Sequence, residues 1–240
     1  MNTTSRILGE ATRPPTRREL TNPFQAYKYA IYVIKGPFPE GEAAIATDPL
    51  FANEYAANVI KGPFPEGEAA IARHPQCALQ YAKHFIKRRF PEGEAAIATD
   101  PEYAYNYAIY VIKGRWPEAE AVIATDPYCA YNYARYVLGG RFPEGEAAIA
   151  KHSHLAYEYA RYVIEDEFPE GEAAIAKDPF SAYYYAKNFI KGRWPVIKGR
   201  FPEAEEAIAK DSYYANLYLQ AFPDAKSDWY AREWIDWTQL

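Results

Sequence analysis

A period constrains this chain more than any other feature. An aromatic residue followed by proline recurs at Phe38, Phe64, Phe90, Trp116, Phe142, Phe168 and Trp194, each 26 residues after the last. A fixed period of this size specifies stacked supersecondary units that bury their apolar faces against their neighbours, not one globular core. The copy from Pro91 to Trp116, PEGEAAIATDPEYAYNYAIYVIKGRW, reads as a pair of helices. Pro91 suits the first helical position, where a missing N–H costs nothing. Glu92 and Glu94 place negative charge at the positive end of the helix dipole. Ala95, Ala96, Ile97 and Ala98 continue a helix of about 8 residues, too short to persist without packing.

Asp100 and Pro101 then predict a second helix, as N-cap and first position. Along it, Ala104, Tyr107, Ala108, Val111 and Ile112 form one apolar stripe at helical spacing, and Gly114 is expected to end it. Only Arg115 and Trp116 separate that glycine from the next Pro-Glu, so the connections are short, as antiparallel neighbours require. The fold class read from this pattern is all-α: an α-solenoid of 26-residue helix-turn-helix repeats, elongated or gently superhelical.

Three segments follow. Residues 1–21, with Pro14-Pro15 and Arg6, Arg13, Arg17 and Arg18, read as an irregular N-terminal segment. Residues 22–223 form the helical array, starting with a lone second helix at Asn22-Pro23. Residues 224–240, with Trp229, Tyr230, Trp234 and Trp237, read as a C-terminal capping helix, because terminal repeats must differ from internal ones to stay soluble. The period breaks once. IKGRWP at 190–195 is followed at once by VIKGRFP at 196–202, a seven-residue insertion near 195–201. Pro195 and Gly199 oppose a continuous helix, so an altered junction is expected there, with Val196 and Ile197 under cover.

The words F-P-E-G-E-A-A-I-A and A-Y-x-Y-A carry a resemblance. In architecture the pattern is similar to short αα-solenoids of the tetratricopeptide and Sel1-like kind, which also alternate small Ala with large Tyr on the second helix, here Ala104, Tyr107 and Ala108. Its period is shorter than theirs. The words themselves resemble repeats in uncharacterised proteins of phages and other large DNA viruses. From about Asn22 to Phe222 the resemblance implies a helical array, with a viral source as one implied setting, and no activity.

Chemistry is sparse. Glu40/Glu42, Glu66/Glu68, Glu92/Glu94, Glu118/Glu120, Glu144/Glu146, Glu170/Glu172 and Glu203/Glu205 recur in every repeat, whereas a catalytic pair is singular and differentially tuned. They read as helix-start electrostatics, with a weak ladder for cations or basic partners as the alternative. His74 and His152 occupy the Asp cap position, and His152-Ser153-His154 lacks the partners of a metal site. No phosphate loop or nucleophile elbow is present. No catalytic residue, cofactor or metal is therefore expected, and the chain is read as no enzyme. A net charge of -5 argues against nucleic acid. Neither a membrane span nor a signal peptide is read, which is compatible with cytoplasm or virion. Cys77 and Cys129 stand two repeats apart, so no bridge between them is expected.

Comparing the copies separates a fixed frame from a varied face. The stripe barely changes, while the outward positions of the second helices do. This candidate binding face comprises Gln80 and Lys83; Asn106 and Ile109; Tyr128, Asn132 and Arg135; His154, Glu158 and Arg161; and Phe180, Tyr184 and Lys187. A tyrosine row, Tyr27, Tyr105, Tyr131, Tyr157 and Tyr183, flanks it and suits either an interface or helix–helix packing inside the stack. The expected function is a non-enzymatic protein-binding scaffold. A structural subunit of a virus particle or filament, acting by self-association, is the alternative, and a single-stranded nucleic-acid binder the third.

Overall fold

The computed structural model describes residues 13–190, 200–232 and 234. Among them the secondary structure is entirely helical, in helix pairs that repeat along the chain. The chain divides into two compact bodies, Met1–Ile112 and Lys113–Leu240. In the first lie α1 (Arg17–Thr21), α2 (Pro23–Tyr29), α3 (Pro39–Ile45), α4 (Pro49–Tyr55), α5 (Glu68–Ile71), α6 (Pro75–Tyr81), α7 (Pro91–Ile97) and α8 (Pro101–Tyr107). The second holds α9 (Pro117–Ile123), α10 (Pro127–Tyr133), α11 (Pro143–Ile149), α12 (Ser153–Tyr159), α13 (Pro169–Ile175), α14 (Pro179–Asn188), α15 (Pro202–Ala209), α16 (Ser212–Ala221) and α17 (Ala225–Ala231). Within each body, successive second helices lie side by side.

The expected start signals operate. Proline opens most of the helices. Asp48, Asp100, Asp126, Asp178 and Asp211 accept from backbone N–H groups of the first turn, as does Asn22. His74 Nδ1 takes that role from Cys77 N at 3.5 Å, whereas His152 caps nothing with its side chain. Inside the segment expected to be irregular, α1 forms because Thr16 and Glu19 close a capping box, and Arg13 holds the Glu19 carboxylate.

The second helices end differently from the expectation. After the α-helical Tyr-Ala step, six of them widen into a π-helix: Ala30–Ile34, Ala56–Ile60, Ala82–Ile86, Ala108–Ile112, Ala134–Leu138 and Ala160–Ile164. The wider turn rotates the stripe, so Val111 and Ile112 are only half-buried, while Ala104, Tyr107 and Ala108 are fully buried. The left-handed stop falls one residue before the expected glycine, on Lys35, Lys61, Lys87, Lys113 and Glu165, and on Gly139 in one repeat. An L-residue there carries steric strain of about 1–2 kcal/mol that glycine avoids. Lys61→Gly is therefore expected to raise stability by about 0.5–1 kcal/mol, the strain relieved less the extra backbone entropy of glycine. An unchanged or lower urea midpoint would show that the lysine is not strained.

The core is a ladder of alanine, tyrosine and the anchor aromatic. Tyr55 packs on Phe64, Tyr133 on Phe142 and Tyr159 on Phe168, with ring centroids 5.1–5.2 Å apart. The first helices approach closely: a Cβ on Gly93 would stand 2.8 Å from that of Ala78, and on Gly145 2.7 Å from that of Ala130. Ala108 has no exposed surface. Ala108→Leu is expected to cost about 1–3 kcal/mol by overpacking, read as a lower urea midpoint with no change of slope; an unaltered midpoint would mean that the site has room.

The expected altered junction, with Pro195, Val196, Ile197 and Gly199, lies outside the described residues, as do Arg6, Trp194 and Trp237. Beyond it, α17 packs on the final repeat. Trp229 is fully buried and stacks on Tyr218 at 5.4 Å and 10°.

Candidate binding face

One hydrogen-bond motif holds the frame that presents the face. In each repeat the second-helix tyrosine hydroxyl accepts from the backbone N–H of the anchor aromatic: Tyr55 from Phe38, Tyr81 from Phe64, Tyr107 from Phe90, Tyr133 from Trp116, Tyr159 from Phe142, Tyr185 from Phe168 and Tyr218 from Phe201, at 2.6–2.8 Å. The same hydroxyl donates to the second glutamate of the Pro-Glu-x-Glu word, from Glu42 to Glu205, at 2.8–3.1 Å. The paired carboxylates thus have two roles. The first glutamate stays exposed at the helix start, while the second anchors the repeat, which corrects the purely electrostatic expectation. Burial pushes these hydroxyls up, that of Tyr133 to about 12.

An arginine before the anchor strengthens some repeats. Arg89, Arg115, Arg141 and Arg200 each grip that glutamate with two parallel bonds of 2.6–2.9 Å. The guanidinium bond holds Glu94, Glu120 and Glu146 below the usual carboxylate range. Pro37, Pro63 and Glu167 stand in that place elsewhere.

The varied positions fall in both bodies. In the first, Gln80 borders a groove between α4 and α6, and Lys83 sets its ammonium 3.7 Å from the centre of the Tyr110 ring. Asn106 and Ile109 are half-buried on α8 and its π continuation. In the second body, Tyr128 is 60% exposed, its ring 6.3 Å from that of His152, and Asn132 is half-buried. Arg135 donates to the Tyr131 hydroxyl, lies 3.9 Å from Glu158 and sits 4.3 Å above the Tyr162 ring. His154 is exposed, 6.2 Å from Phe180 between ring centres. Glu158 accepts from the Tyr131 hydroxyl, and Arg161 donates to that of Tyr157 at 2.8 Å. Phe180 and Tyr184 pack at 4.9 Å, and Lys187 reaches the Tyr183 hydroxyl at 3.5 Å.

Of the two roles open to the tyrosine row, these contacts favour packing inside the stack. Tyr131, Tyr157 and Tyr183 are buried, so they lie between neighbouring second helices rather than beside an open face. Each reaches to the next helix: Tyr131 to Glu158, Tyr157 to Phe180 and Tyr184, Tyr183 to Tyr214. In the first body Tyr27 does the same, with its ring 5.9 Å from that of Phe51 and its hydroxyl accepting from Asn58 at 3.0 Å. The row is interrupted where Asn53 and Leu79 replace tyrosine. Beside Asn53 a groove of about 530 Å³ opens. Sequence reading passed over this site, although the break in the row was its signal.

Among the described residues no three His, Cys, Asp or Glu side chains gather as a metal site, and no helix is long and apolar enough to cross a membrane. Cys77 and Cys129 are both buried. No family model matches this chain, and neither a curated protein nor a solved structure matches it.

Proposed function

We propose that this chain is a non-enzymatic, protein-binding repeat module whose ligand-facing surface is the outer side of the second helices. One observation carries the reading: the frame is invariant and the face is not. The alanine and tyrosine at Ala52/Tyr55, Ala78/Tyr81, Ala104/Tyr107, Ala130/Tyr133, Ala156/Tyr159 and Ala182/Tyr185 are all 0% exposed. The outward positions of the same helices carry every chemical class, from Leu50 and Gln76 to Tyr128, His154 and Phe180. A rigid helical array with changing side chains on one face suits recognition of another protein. In this reading the helix pairs work as tetratricopeptide-like arrays do, without a shared period.

A photo-crosslinking residue placed at Tyr128 or Phe180, in the full chain in its native host, tests the reading. A discrete adduct with one protein is expected from these positions, and none from Glu118, on a first helix. Equal labelling from all three would overturn it. Self-association, as in a particle or filament subunit, is the second reading, since Tyr128 and Tyr213 leave more than half of their surface exposed. Sedimentation over a range of concentrations separates the two, because a building block gains mass as concentration rises.

A further inference from the structure

In the first body, the row of tyrosines that closes the space between second helices fails at α4. Tyr27, one repeat earlier, spans to α4 through Phe51 and Asn58. The equivalent residue on α4 is Asn53, which is too short to reach α6. Two further small side chains widen the gap. Ala57 stands where later repeats carry Arg135, Arg161 and Lys187, and Cys77 stands where α8 carries Tyr103. The result is the groove of about 530 Å³, within the range of ligand sites. Asn53 lines it, and its side-chain oxygen is buried with no hydrogen-bond partner among the described residues.

The lining selects the occupant. From Leu50 to Ala57 along α4 and its π continuation, and from Gln76 to Phe85 along α6 and its own, the trough runs for roughly 10–13 Å, the span of about three extended residues. Leu50, Ala57 and Phe85 supply apolar surface. Gln76 and Gln80 each offer both donors and an acceptor, which matches the alternating groups of a peptide backbone. Glu54 is the one carboxylate of the lining and has no ion-pair partner among the described residues; it accepts from Asn58 at 2.6 Å and from the Tyr27 hydroxyl at 3.5 Å. The lining holds no lysine or arginine, and His84 is its one basic side chain.

We propose that the groove between α4 and α6 binds a short extended peptide segment of a partner protein, with its backbone paired to Gln76 and Gln80 and a lysine or arginine side chain directed to Glu54. This rests on the protein-binding reading and specifies where and what the module recognises in its first body.

The test is a library of acetylated, amidated pentapeptides with lysine, arginine, glutamine or glutamate at the centre, titrated onto the full chain by fluorescence anisotropy. Basic members are expected to bind best. Asn53→Tyr restores the residue found at Tyr27, Tyr105, Tyr131, Tyr157 and Tyr183, so the fold accepts it; it should fill the groove and weaken those peptides at least tenfold. Circular dichroism and a urea midpoint equal to or above that of the parent confirm that this variant is folded. Glu54→Gln should weaken the basic peptides several-fold and leave the glutamine peptide unchanged. Absence of binding, a preference for glutamate at the centre, or equal affinity for Asn53→Tyr would overturn the proposal. The crosslinking positions Tyr128 and Phe180 lie in the other body, so retained crosslinks with silent peptides would overturn the groove alone and leave the protein-binding reading standing.

Discussion

Glu205→Ala is expected to destabilise the second body by about 3–5 kcal/mol, as removal of one member of a buried ion pair does. Glu205 is 2% exposed and accepts four hydrogen bonds. Two come from the Arg200 guanidinium at 2.6 Å, one from the Tyr218 hydroxyl at 3.1 Å and one from Trp229 Nε1 at 2.8 Å. The substitution leaves a buried guanidinium with Asp228 as its remaining carboxylate and removes the acceptor of Trp229, which ties α17 to the final repeat. The equivalent change at Glu146 is expected to cost less, because the Arg141 side chain is 50% exposed and water takes over its charge. Urea unfolding followed by helical circular dichroism compares the two variants. Equal losses would show that burial of the Arg200 pair contributes nothing beyond its exposed counterpart.

The second large effect is alkaline unfolding. Burial pushes up the hydroxyls of Tyr55, Tyr81, Tyr107, Tyr133, Tyr159, Tyr185 and Tyr218, all of them 0% exposed. A raised folded value means that the unfolded chain releases its protons first. The stability these groups contribute is therefore complete below the ordinary tyrosine value of about 10 and is lost as pH rises toward the folded value. For Tyr133, held at about 12, the difference corresponds to about 3 kcal/mol. Several such groups ionising together exceed the stability of an ordinary domain.

Phenolate absorbance and circular dichroism, recorded together between pH 8 and pH 12, check this. Helix should persist at the lower end of this range. The buried set should then ionise in one step with loss of helix. Independent titration of every tyrosine in a still-helical chain would refute the ladder. At the acid end the sign reverses. Glu94, Glu120 and Glu146 are held low by their arginines, so their contribution is present above the usual carboxylate value and lost as pH falls through the folded one.

Much of this architecture was legible in the sequence because its causes are local. A proline after Asp48, Asp100 or Asp126 starts a helix through geometry and capping that a few adjacent residues supply. A period of 26 residues leaves little but neighbour-to-neighbour stacking. Tyr107 and its equivalents were legible as core for the same reason of spacing. Their hydroxyl partners were not, because an N–H 17 residues back and a carboxylate 13 residues back meet only once two helices have packed at a particular angle.

The ends of the second helices show where local information stops. The residues Ala82-Lys83-His84-Phe85-Ile86 form a π-helix, whereas Ala186-Lys187-Asn188, followed by the closely similar Phe189 and Ile190, continue α14 as an ordinary α-helix through Asn188. Composition barely distinguishes the two. What differs is the aromatic that packs on the helix tyrosine: Phe90, four residues after Ile86, meets Tyr81, whereas Phe201, eleven residues after Ile190, meets Tyr185. The left-handed stop at Lys87 belongs to the first of these. The groove beside Asn53 obeys the same division. The sequence by itself determined that a tyrosine is missing from the row. Only the packing of α4 against α6 decided that the space stays open and that the Asn53 amide oxygen is buried without a donor among the described residues, because an empty volume belongs to the distance between two helices and not to any residue of either.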